Sequence, residues 1–370
     1  MSNQPPRVAL YLRSLLDTGI DTRMLNLSQG LIERGIDVDF VLNTSKEKDL
    51  LRVPKEAKIV DLKQAKLLKG LPLLINYLKQ EKPTAILSAQ HFTNEVLLLA
   101  KLLSKASTRF VVSEGNTISS EWQNKAKLKE RLTPLLVKLL YPQADAIIGN
   151  SIGVAKDIAK VTGLPPERIN VVYNPTITSK VIKKSQEEIN HSWFKEGELP
   201  VVLGVGRLNV QKDFGTLIKA FAQVRQNYPC RLMILGNGAE RQNLNNLVKE
   251  LGLENHVEIP GFADNPYKYM KQAKVFVLSS AWEGLPNVLI EAMAVGTPVV
   301  ATNCPSGPEE ILDNGKYGKL IPVGDVDKMA EATKSVLRGD FQPVDSDWLQ
   351  QFTLETAIEN YLNVLGIAKG

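Results

Sequence analysis

Two carboxylates eight positions apart, Glu283 and Glu291, bracket the turn Gly284-Leu285-Pro286-Asn287-Val288 and lead into an apolar run. Pro286 has its φ already set for a first helical turn and lacks only an N–H that would be unpaired there. Gly296 suits a left-handed helix end, and Pro298 prevents the helix from resuming. The spacing predicts a strand, a tight turn and a helix N-terminus whose free N–H groups suit an anion. A ligand with a charged centre and hydroxyls at both ends, such as a nucleotide-sugar, matches one glutamate at the rim and one behind it. Two carboxylates also fit a glycosidase, with acid and nucleophile flanking the scissile bond. Two solvated glutamates on a surface helix are the plain alternative. Leu289, Ile290, Ala292 and Met293 around Glu291 weigh against it.

A second constellation is cationic. Gly204-Val205-Gly206-Arg207-Leu208 closes an apolar strand, and Lys212-Asp213 follows. Glycine permits close backbone approach; Arg207 offers a planar fork and Lys212 a point charge, both suited to a diphosphate. These cations argue against simple hydrolysis. Gly236-Asn237-Gly238 is another glycine turn, but no complete G-x-G-x-x-G run occurs, which counts against a nicotinamide cofactor. In the first half, His91 follows an apolar strand, Glu114-Gly115-Asn116 ends another, and the 17–22 loop with Gly19 opens a helix. Asp37-Val38-Asp39 has metal-holding D-x-D spacing but begins an ordinary strand, so a solvated strand end is expected. No Cys/His cluster has zinc spacing, and no metal is expected.

The elements that must position these groups alternate. The 370 residues exceed what one core usually serves, so two domains are expected. Apolar runs at 8–12, 38–42, 85–87, 110–112, 146–148 and 169–173 alternate with helical faces, as in a parallel, doubly wound sheet. Residues 176–199 interrupt the pattern and suggest a connection. Alternation restarts at 201–205 and continues through 232–235, 257–259, 275–278 and 299–301. Two Rossmann-like units follow, each expected to bind ligand beyond the carboxyl ends of its strands, facing across a cleft.

Composition bounds the rest. Apolar content of 44% and charged content of 23% are ordinary for a globular protein. No window is apolar enough to span a membrane, and residues 1–7 lack a signal-peptide pattern, so a cytoplasmic location is expected. Cys230 and Cys304 are expected as free thiols. Residues 1–178 carry 25 Lys+Arg against 17 Asp+Glu, whereas residues 179–370 carry 20 against 23. The basic half is the one expected to meet an anionic partner. Lys125, Lys127, Lys129, Arg131 and Lys138 intersperse with leucines, as do Lys63, Lys66 and Lys69. Leucines at helical spacing are usually core with lysines on the wet face; contact with an anionic membrane is the second reading. Stacking aromatics are absent there, so no nucleic-acid partner is expected.

Taken as an ordered set, Gly206-Arg207-Leu208, Lys212-Asp213, Gly236-Asn237-Gly238, Gly261-Phe262 and residues 280–298 with their E-x7-E pair resemble a family-4-type (GT4) retaining glycosyltransferase of GT-B fold. The resemblance covers nearly the whole chain and is most specific in residues 200–312. It implies an N-terminal acceptor-side domain, 1–178, with a last helix near 353–370 packing back on it, and a donor-binding domain, 179–352. It implies that Arg207 and Lys212 hold the donor diphosphate, Glu291 the ribose hydroxyls and Glu283 the transferred sugar. Backbone N–H groups around Leu285–Val288, in the turn that holds Gly284, Pro286 and Asn287, would hold the phosphate, with Gly206, Gly236, Gly261 and Phe262 around the nucleotide. His91 would touch the sugar near the reaction centre, and Gly19 matches the family's glycine loop, here Asp17-Thr18-Gly19 instead of Gly-Gly. Residues 303–312 are similar to a branch that handles UDP-sugars, including N-acetylhexosamines. The implied reaction moves a hexose or N-acetylhexosamine to a saccharide or lipid-linked acceptor, with no cofactor beyond the nucleotide-sugar, at the inner face of a membrane where the acceptor is lipid-linked. A nucleotide-sugar epimerase of the same architecture and a non-catalytic sugar-binding protein are the competing classes.

Overall fold

A computed structural model describes residues 5–15, 19–119 and 133–368. Contacts divide the chain into two units, Met1–Thr176 with Gln351–Gly370, and Ile177–Gln350. In the first, strands β1 (Arg7–Leu12), β2 (Asp37–Leu42), β3 (Lys58–Asp61), β4 (Ala85–Ala89), β5 (Arg109–Glu114), β6 (Ala146–Gly149) and β7 (Ile169–Val171) form a sheet ordered β3-β2-β1-β4-β5-β6-β7. Every pairing is parallel, with Leu10 of β1 opposite Phe40 and Leu87.

Strand side chains alternate between faces, and both faces of this sheet are apolar. Val8, Leu10 and Leu12 join one buried cluster with Met24, Leu27 and Leu31 of helix Gly19–Ile32; Ala9 and Tyr11 join another with Val96, Leu97 and Ile158. Each such side chain contributes roughly 1.5–3 kcal/mol when fully buried. Ile358, Tyr361, Leu362 and Leu365 of the last helix, Leu354–Leu365, complete the first cluster. A Cβ on Gly30 would sit 2.6 Å from Ile358, so the two helices meet where only a glycine fits.

In the second unit, β8 (Val201–Val205), β9 (Arg231–Leu235), β10 (Val257–Gly261), β11 (Val275–Leu278), β12 (Val299–Thr302) and β13 (Lys319–Ile321) are parallel in the order β10-β9-β8-β11-β12-β13. Residues 176–199 are more than a connection: Asn265 donates to Lys184 O and to Glu187, each at 2.8 Å, tying this stretch into the second unit.

Several expectations change. β3 and β13 were not anticipated; both are short edge strands bearing lysine, and Ile59 of β3 is 37% exposed. Edge strands need less apolar sequence because one flank faces water. Asp37 is exposed as expected, but Asp39 is buried, accepting from Tyr77 Oη at 2.8 Å, with Arg7 at 3.9 Å. The leucines between the lysines are not uniformly core. Leu74 and Leu140 are buried, whereas Leu68, Leu73, Leu135, Leu136 and Leu139 are exposed. Lys125, Lys127, Lys129 and Arg131 lie outside the described residues. No described helix is long and apolar enough to cross a membrane.

Candidate functional site

In the second unit the chain runs outward from β8 to β9 and β10, then returns to place β11 on the other side of β8. That reversal is a switch point, where a crevice opens beyond the carboxyl ends of the strands. Arg207 and Lys212 follow β8; Glu283 and Glu291 follow β11. Topology therefore gathers the cationic and acidic constellations at one sheet edge.

Beyond β8, two glycine turns lie backbone on backbone. Gly206 N donates to Leu235 O and Leu208 N to Asn237 O, both at 2.9 Å. A Cβ on Gly236, at φ 152°, would be 1.8 Å from Gly206 O, and one on Gly238 would be 2.1 Å from Leu208 O. Both glycines have a packing reason. Gly261, at φ 109°, accepts from Gly236 N at 2.8 Å, and the neighbouring Phe262 ring is exposed. Arg207 is exposed and forms no ion pair with a described residue.

Lys212 is held through its backbone on both sides. Asn209 Oδ1 accepts from its N–H at 3.1 Å, and Ser279 Oγ donates to its carbonyl at 2.7 Å. Gln211 clasps the loop beyond β11 twice, accepting from Ala281 N at 2.8 Å through its carbonyl and donating to Trp282 O at 2.9 Å through its side chain. Thr302 Oγ1 donates to Ser280 O at 2.6 Å. Held in this way, Lys212 Nζ lies 2.5 Å from Glu283 Oε1, and Ser280 Oγ donates to the same oxygen at 2.6 Å. Glu283 and Ser280 are buried.

The turn after Glu283 is set by a neighbouring loop. Ser306 Oγ donates to Gly284 O at 2.8 Å, and Gly307, at φ 91°, comes so close that a Cβ would lie 2.5 Å from Pro286. Pro286 sits one position earlier than expected. It is the N-cap, with φ −74° and ψ 92°, and the helix runs Asn287–Ala294. The reason is local: its carbonyl accepts from Leu289 N at 3.0 Å while its extended ψ finishes the turn. The helix ends as the sequence indicates, with Gly296 at φ 86°.

Glu291 lies in the second turn of that helix, 9% exposed, and burial raises its pKa to about 7 against the opposing pull of Lys212. Among the described residues nothing donates a hydrogen bond to its carboxylate. Burial also raises Tyr267, with the charge of Glu291 adding to it, and burial lifts Cys304 to about 12, helped by Glu283. Gln211 and Tyr267 belong to this neighbourhood without any motif marking them, whereas Ser280 opens the 280–298 segment that the sequence marks, without a role of its own there.

His91 and Gly19 belong to the first unit. Its chain order reverses between β1 and β4, and His91 opens helix His91–Ser104 directly after β4, buried, with its ring 4.0 Å from that of Phe92. Gln90, just before it, has φ 130°, a strained value for a residue with a side chain. It is held there by Asn94 N and Thr93 Oγ1 donating to its carbonyl at 2.8 and 2.9 Å. Gly19 is the first residue of its helix; Asp17 and Thr18 lie outside the described residues. Among the described residues no three His, Cys, Asp or Glu side chains gather into a metal-holding group.

Residues 18–180 match the family model Glycosyltransferase Family 4, and residues 185–348 match Glycosyl transferases group 1. The chain is 34% identical over 247 residues to the N-acetylgalactosamine-N,N'-diacetylbacillosaminyl-diphospho-undecaprenol 4-alpha-N-acetylgalactosaminyltransferase of Campylobacter jejuni, covering 67% of this chain and 65% of that protein. It is 27% identical to the lipopolysaccharide core biosynthesis glycosyltransferase LpsE of Rhizobium meliloti, over 94% of this chain and 96% of the relative. The match to the Campylobacter protein thus spans just under two thirds of that relative's length. Among solved structures, the lipopolysaccharide outer core galactosyltransferase WaaB superposes with a TM-score of 0.74 at 21% identity, over 97% of this chain and 99% of that one. Anabaena HepE in complex with UDP and glucose superposes with a TM-score of 0.75 at 20% identity, over 98% and 99%. Two parallel α/β units, matched in tandem by these two models, make this chain a member of the GT4-type glycosyltransferases of GT-B fold.

Proposed function

We propose that the chain transfers a hexose or N-acetylhexosamine, with retention, from a nucleotide-sugar to a saccharide or lipid-linked saccharide, with UDP as the favoured nucleotide. The observation that carries this reading is the buried Lys212–Glu283 pair beside the N-terminus of helix Asn287–Ala294. As the anomeric bond loosens, charge grows on the leaving diphosphate; Arg207, Lys212 and the helix N–H groups are the groups to stabilise it. Glu283 would grip the transferred sugar and Glu291 the ribose, two hydroxyl-binding carboxylates instead of an acid and a base. His91 would meet the sugar from the first unit, and the departing phosphate would take the acceptor's proton. Because two cations already serve the diphosphate, activity is expected to survive EDTA.

HepE was solved with UDP, and the Campylobacter relative is named for a diphospho-undecaprenol acceptor; both support the donor and acceptor classes. Membrane contact is part of the proposal. Helix His91–Ser104 packs against both Leu67–Glu81 and Thr133–Leu140, and the three expose Leu68, Leu73, Leu102, Leu103, Leu135 and Leu139 among Lys69, Lys105 and Lys138. Such a face suits an anionic interface. Incubating the protein with individual nucleotide-sugars and following transfer or hydrolysis by mass tests the reaction. Interconversion of the sugars without acceptor would replace transfer by epimerisation, and stabilisation by GDP alone would remove the UDP assignment. Flotation with anionic vesicles at low salt tests the membrane face; protein left at the bottom would remove it.

A further inference from the structure

Arg23, on helix Gly19–Ile32, is 2% exposed. Its Nη1 donates to Ser113 Oγ at 3.1 Å and to Asn174 Oδ1 at 3.5 Å. Nε and Nη2 are buried and make no hydrogen bond with a described residue. Those two nitrogens are the side-on edge of the guanidinium, whose parallel N–H groups grip one oxyanion through two oxygens.

No described carboxylate comes within ion-pair distance. Glu114 follows Ser113 on β5, so its side chain leaves the opposite face of the sheet, where Asn94 donates to it at 2.9 Å and Tyr141 Oη donates as well. Asp21 stands two positions before Arg23, a spacing that does not bring side chains together on a helix. A buried cation with only neutral partners is costly, and a bound anion removes that cost. The site lies at the carboxyl edge of the first sheet, where ligands enter such folds. Close by in the chain, Gly19 is exposed, and Ile20, Gly115 and Asn116 are partly so. A Cβ on Gly115, two positions after Ser113, would come no closer than 3.8 Å to Asn150 and 3.9 Å to Ile20, so the glycine turn leaves room between β5 and the start of helix Gly19–Ile32.

We infer that Arg23, steadied by Ser113 and Asn174, is an oxyanion grip in the first unit that takes a phosphate group of the acceptor. That the anion belongs to the acceptor rests on the glycosyl-transfer reading, in which the donor diphosphate occupies the second unit; the grip itself does not.

The test uses the full chain with isotopically labelled arginine and saturating UDP. The Arg23 Nε–H resonance is assigned by its loss in Arg23→Gln. It is expected to move on titration with inorganic phosphate and with farnesyl phosphate, but not with farnesol, and about tenfold more weakly with acetate. Asn174→Asp places a carboxylate beside the guanidinium and is expected to weaken the phosphate response at least about tenfold. It leaves UDP binding unchanged, and it keeps the test readable if Arg23→Gln does not fold. A resonance unmoved by phosphate, or an Asn174→Asp protein that binds phosphate as the parent does, overturns the grip. A response to phosphate but not to farnesyl phosphate overturns the acceptor assignment. Failure to bind UDP would sink the donor reading alone, since the Arg23 resonance is read independently of it.

Discussion

Lys212 and Glu283 stand 71 positions apart in the chain, yet Nζ and Oε1 are 2.5 Å apart, and Ser280 Oγ shares that oxygen at 2.6 Å. Lys212 is 15% exposed through its side chain and Glu283 7%, so the pair is largely out of water. Removing one member of such a pair leaves a charge with no counterpart, which costs more than the pair itself contributes. A cation proposed for a diphosphate is therefore already engaged by a carboxylate, and an incoming phosphate competes with Glu283 for it.

Lys212→Met and Glu283→Gln are each expected to lower stability by about 3 kcal/mol, and the double variant by clearly less than their sum. Urea unfolding of the four proteins reads the coupling. Strict additivity would mean that the pair contributes nothing to the fold.

Arg207 is exposed and forms no ion pair with a described residue. Arg207→Ala is expected to melt with the parent while losing transfer by about two orders of magnitude or more, as one charge-stabilising donor is removed. Turnover near that of the parent in the purified variant would take Arg207 out of the mechanism.

Two glycines at similar-looking turns are expected to respond very differently to alanine. Gly296→Ala meets nothing within 4 Å and bears only the strain of φ 86°, a loss of roughly 1–2 kcal/mol. Gly236→Ala puts its Cβ 1.8 Å from Gly206 O and is expected to lose more than about 4 kcal/mol or fail to fold. Expression and calorimetry of the two variants decide it.

Burial raises Glu291 from 4.5 to about 7, so between those values the folded chain holds a proton that the unfolded chain has released. Its contribution to stability is complete below 4.5 and is lost as pH rises through 7. Glu291→Gln, permanently neutral, is expected to gain on the parent across that window and to hold its advantage above it. If the ionised form accepts from a ribose, UDP affinity in the parent rises through the same window and stays flat in Glu291→Gln. Paired melts and titrations at several pH values check both trends.

Much of the fold was legible because the central strands are apolar runs set between helical faces, as at 85–87 before Val96 and Leu97. β3 escaped because Lys58-Ile59-Val60-Asp61 needs only one covered flank, and β13 for the same reason. Asp39 misled for the opposite reason. Its strand continues into the core, and Tyr77 from a distant helix supplies the hydrogen bond that allows burial.

The turn at Gly284, the helix that Gly296 ends, and the glycines flanking Arg207 are matters of local φ, missing side chains and spacing, and the amino-acid order determined them. Which charges meet was decided by strand order. The return of the chain to β11 beside β8 set Lys212 against Glu283, and the covering of helix Asn287–Ala294 withdrew Glu291 from water. The folded first unit likewise brought Arg23 of helix Gly19–Ile32 to Ser113 of β5, 90 positions away. Proximity across tens of residues and exclusion of water belong to the assembled sheet edge, so the pairing of Glu283 with Lys212 and the burial of Glu291 arise only there.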